Sequence, residues 1–438
     1  MTIASLGPWV PLWAFVLMLL GAVALVVVMA SLFLPDWAFP ELETTLDAPP
    51  GSEPFVAGLA SLLNVPRLRG GEITLLDDGD AFYPAMLEAI RGARETVNFQ
   101  VYIFEPDDIG LEFCAAFMER ARAGVEVRVL FDGFGGHRME GGYLRKLEEA
   151  GCRVAVFRPI RPWTLVRAFR RDHRRAIVID GRIAFTGGAA VAEKWRGHAQ
   201  DRHHWRDSMV RVTGPLAAGI QTAFGENWAY TTGELLTGPR FYPRTPDAEE
   251  APNPDAPHGF GVASSPAHAH QPMRLLFWSS FRSARERLLI STSYFIPDPN
   301  LRATLAERAR AGVEVRLLLP GPCTDAKPVR YAARAHYEEL LAAGVRIHEY
   351  QPTMHHAKAV VVDGIWCVVG SANLDQRSMK WNEENVLGVA DRRLAARLER
   401  SLRADLERSR EIRLGEWRSR PWTHRVVEWA CRPFAHQY

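Results

Sequence analysis

The octapeptide ARAGVEVR occurs at residues 121–128 and again, letter for letter, at 309–316. Identity of that kind marks a duplication. The flanks repeat in parallel. Ala93-Arg94-Glu95 and Ala284-Arg285-Glu286 each precede an apolar run ending in Pro-Asp, at Pro106-Asp107 and Pro297-Asp298, and Ala150-Gly151 and Ala343-Gly344 each precede an alternation of arginine and apolar residues. A period of about 185 residues is too long for a solenoid and indicates two copies of one domain.

Within a copy the pattern alternates between strand and helix: VNFQVYIF, then GLEFCAAFMERARAG, then VEVRVLFDG. That alternation predicts an α/β fold, two domains in tandem with mixed sheets flanked by helices and related by a pseudo-two-fold axis. The expected domains are residues 46–236 and 273–412. Between them, 237–272 is rich in proline, alanine, histidine and acidic residues without periodicity, which reads as a linker.

From Trp9 to Leu34 no charged residue occurs. A helix over about 9–34, rising about 1.5 Å per residue, is long enough to cross a hydrocarbon core of about 30 Å. Residues 1–45 are therefore expected to be a single-pass membrane anchor. A cleaved signal peptide wants a basic leader, and no Lys or Arg precedes Arg67. The odd set of five cysteines, Cys114, Cys152, Cys323, Cys367 and Cys431, has no CxxC pair and reads as free thiols. Free thiols suit a reducing compartment, so the duplicated domains are expected on the cytoplasmic side of a cell inner (plasma) membrane. Lys and Arg number 53 against 51 acidic residues, so no molecule-wide field calls for nucleic acid.

At equivalent positions in the copies stand HRRAIVIDG, from His173, and HAKAVVVDG, from His356. Each reads histidine, any residue, a basic residue, four residues, aspartate. Strand parity puts His173 with Arg175 on one face and His356 with Lys358 likewise. The same parity turns Asp180 and Asp363 the other way, into Asp-Gly hairpin turns, where a structural role is expected. A histidine nucleophile needs a carboxylate behind it to fix its tautomer. Asp207 follows His173 and Glu384 follows His356, each opening a further strand-like run, with Glu383 as competitor. His198, His203 and His204 lie in a polar loop and show no metal-ligand spacing.

With these motifs the chain resembles the phospholipase D superfamily, and within it the cardiolipin synthases. The resemblance rests on LLDDGDAFYPAMLEAI, VYIFEPDDIG, GVEVRVLFDG, DHRRAIVIDGRIAFTGG, WRDSMVRVTGP, SYFIPD and HAKAVVVDGIWCVVGSANLDQRS. It implies a catalytic set of His173, Arg175, Asp180, His356, Lys358 and Asp363, supported by Asp207 and Glu384. His173 is then the nucleophile and His356 the general acid and base, while Arg175, Lys358, Ser371 and Asn373 bind the phosphate. No cofactor and no metal is implied. Two departures stand out: Arg175 where the family usually has lysine, and Gly188 and Ala190 where the second copy has Ser371 and Asn373.

The implied activity is transfer of a phosphatidyl group from an anionic, phosphatidylglycerol-like lipid to a second lipid alcohol through a phosphohistidine. Water as acceptor gives phosphatidic acid instead, and a membrane-tethered phosphodiesterase or nuclease is the other reading. Two segments favour a bilayer partner over nucleic acid. FRPIRPWTLVRAFRR interleaves Arg158, Arg161, Arg167, Arg170 and Arg171 with Trp163, Leu165 and Phe169, and residues 413–438 place Trp417, Trp422 and Trp429 among arginines. Cations among apolar side chains suit an anionic membrane surface.

Overall fold

The structure, a computed structural model, describes residues 12–33, 41–139, 142–159, 170–244, 256–267 and 271–431. Its first strands are β1 (Leu68–Arg69), β2 (Ile73–Asp77), β3 (Thr96–Val101), β4 (Glu126–Asp132), β5 (Arg153–Phe157), β6 (Ala176–Ile179), β7 (Ile183–Gly187) and β8 (Ser208–Thr213). The later ones are β9 (His258–Ser264), β10 (Arg287–Ser291), β11 (Glu314–Pro320), β12 (Arg346–Tyr350), β13 (Ala359–Val362), β14 (Trp366–Gly370), β15 (Glu384–Ala390) and β16 (Ser409–Ile412).

Among the described residues a 7-stranded sheet runs β2-β8-β7-β6-β3-β4-β5, and a 9-stranded sheet runs β1-β9-β15-β14-β13-β10-β11-β12-β16. The second contains the order of the first, with β1 and β16 added at its edges. Both sheets are mixed: β3 pairs parallel with β4 and antiparallel with β6, and β10 pairs parallel with β11 and antiparallel with β13. The duplicated octapeptide is a helix end, a tight turn and a strand start. Gly124 and Gly312 take φ +88° and +92°, a region open to glycine without steric cost. Asp107 and Asp298, the aspartates of the repeated Pro-Asp, cap the next helices by accepting from Gly110 N and from Asn300 N and Leu301 N.

Two boundaries differ from the expected domains. The supposed linker 237–272 contains β9, the first strand of the second copy, paired along its length with β15. Its glycine-rich sequence HGFGVAS shows little of the alternation that marks a strand. Conversely, β1 and the helix Glu53–Leu63 belong with the second sheet: Phe55, Val56 and Leu59 share one core with Phe260, Val262 and Trp366. The chain thus enters through the second domain before building the first.

Three apolar cores follow. One covers the outer face of each sheet, and a third lies between the sheets, joining Val178, Ala184 and Val210 to Val361, Val369 and Leu387. Helices Ala217–Thr232 and Arg392–Glu407 complete that central core with Phe224 and Trp228 and with Leu394 and Leu398. This contact presses the two sheets together and brings the ends of their histidine strands into register.

The helix Leu12–Phe33 carries no charged residue, and Phe15, Leu17, Met18, Leu19, Leu20 and Val23 on it are exposed. Among the described residues no helix is long and apolar enough to cross a membrane, so the expected single-pass anchor is not seen there.

Candidate active site

Both His-x-basic triplets precede a central strand, β6 or β13, and meet where the two halves exchange backbone hydrogen bonds. His173 N donates to Glu383 O and Glu383 N to Arg171 O; His356 N donates to Arg206 O and Arg206 N to Met354 O. The two pairs are equivalent under the pseudo-two-fold. They explain why the histidines are adjacent although far apart in the chain.

The same crossing decides which carboxylate stands behind which imidazole. His173 Nδ1 lies 2.9 Å from Glu384 Oε2, and His356 Nδ1 lies 2.7 Å from Asp207 Oδ2. The expected pairing within each half is therefore corrected: each carboxylate serves the histidine of the other half. Glu383 instead takes Arg158 and Arg174 and is not the buttress. With Nδ1 donating to the carboxylate, Nε2 is the ring nitrogen turned to chemistry, and on His356 it also lies 3.4 Å from Lys358 Nζ.

Asp180 and Asp363 are corrected as catalytic residues. They sit at the far end of β6 and β13, in αL conformation with φ +51° and +49°. The Asp180 carboxylate accepts from the backbone N–H of Arg94, Glu95 and Thr96; that of Asp363 accepts from Arg285, Glu286 and Arg287. Each pins the entry of β3 or β10 and touches nothing near the histidines.

Ser371 also departs from its expected role. Its hydroxyl donates to Glu384 Oε2 and accepts from Asn385 N, so it orients the buttress rather than facing a phosphate. Ser378, on the π-helical turn Arg377–Trp381, donates to Glu384 Oε1 at 2.9 Å, joined by Asn382 Nδ2 at 3.3 Å. Neither residue was singled out by spacing, although Ser378 closes the motif GSANLDQRS. Asn373 is buried with Oδ1 lacking a partner, which leaves an acceptor available at the site.

The cations lie between the two pairs. Lys358 Nζ donates to Ser293 Oγ at 2.8 Å and to His356 O, and approaches His356 Nδ1 at 3.2 Å. Arg175 is 1% exposed, donates through Nη1 to His173 O, and has an unpartnered Nε. Tyr102 packs edge-on against His173 at 5.3 Å, while Trp195 and Trp205 pack against His356 at 5.4 and 5.3 Å.

Burial and the two cations set the protonation. Burial lowers His173 to about 4, with Arg175 adding to the effect and Glu384 opposing it. His356 falls well below its ordinary value through burial, Lys358 and Arg175. Burial brings Lys358 down to about 7 against the pull of Asp207. The carboxylates diverge. Burial acts to raise Glu384, but His173 and Ser371 hold it below the usual range, whereas burial lifts Asp207 to about 7 despite Lys358. One histidine is thus backed by a firmly ionised carboxylate, the other by one that retains a proton near neutrality.

The proposed lipid-facing segments are partly reassigned. Arg158 is bound to Glu383, Arg171 to Asp132, and Arg170 lies over Trp381, so these arginines are engaged by the protein; Arg161, Trp163, Leu165, Arg167 and Phe169 lie outside the described residues. Trp417 is buried between Arg334 and Arg420 and beside Tyr337. Trp422 and Trp429, on the helix Trp422–Cys431, are 73% and 69% exposed. His198 and His204 pair with the surface carboxylates Asp80 and Asp201.

A match to the family described as cardiolipin synthase, PLD-like domain, covers residues 86–202 and 278–406, one segment per repeat. The chain is 34% identical over 373 residues to cardiolipin synthase A of Pseudomonas entomophila, covering 84% of this chain and 75% of that protein. It is 32% identical over 361 residues to cardiolipin synthase 2 of Bacillus anthracis, covering 82% and 69%. Among solved structures, the phosphatidylserine synthase of Haemophilus influenzae superposes with a TM-score of 0.66 over 87% of this chain and 97% of that one. At 15% identity this likeness speaks for the fold. The paired histidine motifs, the shared sheet order and this kinship together establish that the chain belongs to the cardiolipin synthase family of phospholipase D-like phosphatidyltransferases.

Proposed function

We propose that the protein transfers a phosphatidyl group from phosphatidylglycerol to a second lipid alcohol, through a phosphohistidine on His173. The carrying observation is the crossed pair of imidazole–carboxylate contacts, His173 on Glu384 and His356 on Asp207, and the unequal surroundings of the two carboxylates suggest the division of labour. Two titratable pairs pushed apart by their surroundings divide naturally into a base-like and an acid-like member. The Glu384–His173 pair is proton-poor and leaves Nε2 a lone pair for attack on phosphorus. The Asp207–His356 pair holds a second exchangeable proton near neutrality and can deliver it to a departing oxygen.

The steps balance without a metal. The His173 Nε2 lone pair forms the N–P bond as the P–O bond to the glycerol headgroup breaks, and that oxygen takes a proton from His356. The hydroxyl of the incoming lipid then returns a proton to His356, its oxygen bonds phosphorus, and the N–P bond breaks. Arg175 and Lys358 stabilise the charge spread over the equatorial oxygens, and that negative charge raises the proton affinity of His356 once substrate is bound. Asn373 lends an orienting contact. Sharing of the site between halves makes both copies necessary, and Arg175 keeps the charge and adds a planar fork suited to phosphate oxygens.

Two apolar surfaces support a lipid substrate. The helix Leu12–Phe33 carries no charged residue, and Phe15, Leu17, Met18 and Leu20 on it are exposed, which suits a lipid environment. Trp422, Val426 and Trp429 form an exposed stripe, with Arg425 beside it. We place the protein in a cell membrane with its catalytic unit at the cytoplasmic surface. Incubation of the purified protein with labelled phosphatidylglycerol tests the reading. Cardiolipin and free glycerol support it, phosphatidic acid as sole product shifts it to hydrolysis, and release of labelled oligonucleotide with no lipid product overturns it. Failure of both His173→Ala and His356→Ala to reduce turnover refutes the catalytic assignment itself.

A further inference from the structure

The two buttressing carboxylates are oriented by different chemistry. Glu384 receives hydroxyls from Ser371 and Ser378 and the amide of Asn382. Asp207 receives the backbone N–H of Ser208 at 2.7 Å on Oδ1 and, on Oδ2, the indole N–H of Trp195 at 2.9 Å. The position matching Ser371 is Gly188. A Cβ there would lie 2.2 Å from Asp207 Oδ1 and 2.7 Å from the carbonyl of His356, so no serine fits. Asp207 is one methylene shorter than Glu384, which draws its carboxylate back onto the backbone of residue 188. The first copy has therefore not simply lost a polar group. Its orienting donor comes from another part of the chain.

Trp195 is suited to that task. It is fully buried, packs edge-on against Trp205 at 4.9 Å, and lies against the His356 ring, so the indole cannot rotate away from Oδ2. Oδ2 is also the atom that meets His356 Nδ1. One oxygen thus takes two donors, and the indole fixes where the imidazole must sit.

We infer that Trp195 is a positioning residue for the general acid and base: its indole N–H holds the Asp207 carboxylate, and through it His356, in the transferring geometry. The inference rests on the proposed role of His356. Other charged groups around Asp207 are Lys358, Arg175, Asp78 and Arg206, and around His356 they are Lys358, Arg175, His173 and Lys194. None of them can substitute for a neutral donor aimed at Oδ2. Lys358 donates to Ser293 Oγ and His356 O and Arg175 to His173 O, while Arg206 is held by Asp77, Asp78 and Asp405.

The test is Trp195→Phe in the full-length protein, with lipid turnover measured from pH 5 to 9. Loss of an outer-shell hydrogen bond predicts a fall in kcat of about tenfold with KM unchanged. Because the indole favours the ionised Asp207, its removal raises the proton affinity of the Asp207–His356 pair and moves the alkaline limb, on which that pair loses its transferable proton, up by roughly one pH unit. In an Asp207→Asn background, Trp195→Phe should cause no further loss. If the single variant folds poorly, benzothienylalanine at 195 keeps the bicyclic shape and removes only the N–H, and the same shift is expected. A loss of rate with an unmoved limb, or an equal further loss on Asp207→Asn, shows that Trp195 merely packs and overturns the inference. Full activity of Asp207→Asn itself would instead strike at the proposed role of the Asp207–His356 pair.

Discussion

Asp363→Ala separates a motif residue that performs chemistry from one that holds the fold. In the structure the Asp363 carboxylate accepts three backbone N–H groups, from Arg285 and Glu286 at the surface and from Arg287 partly buried. A net hydrogen bond contributes about 1 kcal/mol, and water can replace roughly half of that for the two surface donors. Alanine must also adopt the αL backbone that aspartate tolerates, at about 1 kcal/mol. The sum is about 3 kcal/mol, which lowers the thermal midpoint by roughly 6–12 °C for a domain of this size. Asp363→Asn keeps the backbone preference and one acceptor, so about half of the shift is expected. The assay is thermal unfolding of the full-length protein followed by lipid turnover per folded molecule below the transition. Turnover should be unchanged. A variant that kept its midpoint but lost turnover by about 100-fold, the scale of a lost proton-transfer group, would refute the structural role.

Three further outcomes follow from the site. Lys358, brought down to about 7 by burial, is charged below that pH and loses its charge as pH rises through it. The kcat/KM of the free enzyme should therefore fall above about pH 7, where the Asp207–His356 pair also gives up its proton, and Lys358→Arg should make that alkaline limb shallower; a limb of unchanged steepness would remove Lys358 from it. Ser378→Ala removes one of two hydroxyls on Glu384 and should lower kcat by about tenfold without raising KM, with Ser371→Ala similar in size. Trp422→Ser with Trp429→Ser strips the exposed stripe and should weaken sedimentation with phosphatidylglycerol vesicles of a protein lacking residues 1–40, with little effect on the thermal midpoint; unchanged sedimentation would place membrane contact elsewhere.

The buttresses show where reading along the chain stops being informative. Asp207 and Glu384 were recognisable because each opens a strand-like run after its motif, and both do stand behind the imidazole of a histidine motif. Their partners were not recognisable. His173 and Glu384 are separated by 211 positions and His356 and Asp207 by 149, so proximity in sequence selects the wrong pairing in both cases. Trp195 gave no signal at all, since a tryptophan in a polar loop reads as packing. Its role depends on the place left by Gly188 and on the depth at which Asp207 sits. The boundary at β9 was hidden for a simpler reason: HGFGVAS lacks the alternation by which a half-buried strand is detected.

The sequence by itself determined that the chain is a duplication, that each copy is α/β, that His173 and His356 are equivalent, and that Asp180 and Asp363 turn away from them. All of these are local or repeated patterns, set by strand parity and by identity between copies. Tertiary structure decided the rest. The central apolar core presses two sheets together so that the end of each histidine strand pairs with the other half. That contact crosses the carboxylates, puts them in surroundings that hold one below its usual range and lift the other to about 7, and brings a tryptophan to the place where the second copy uses serine.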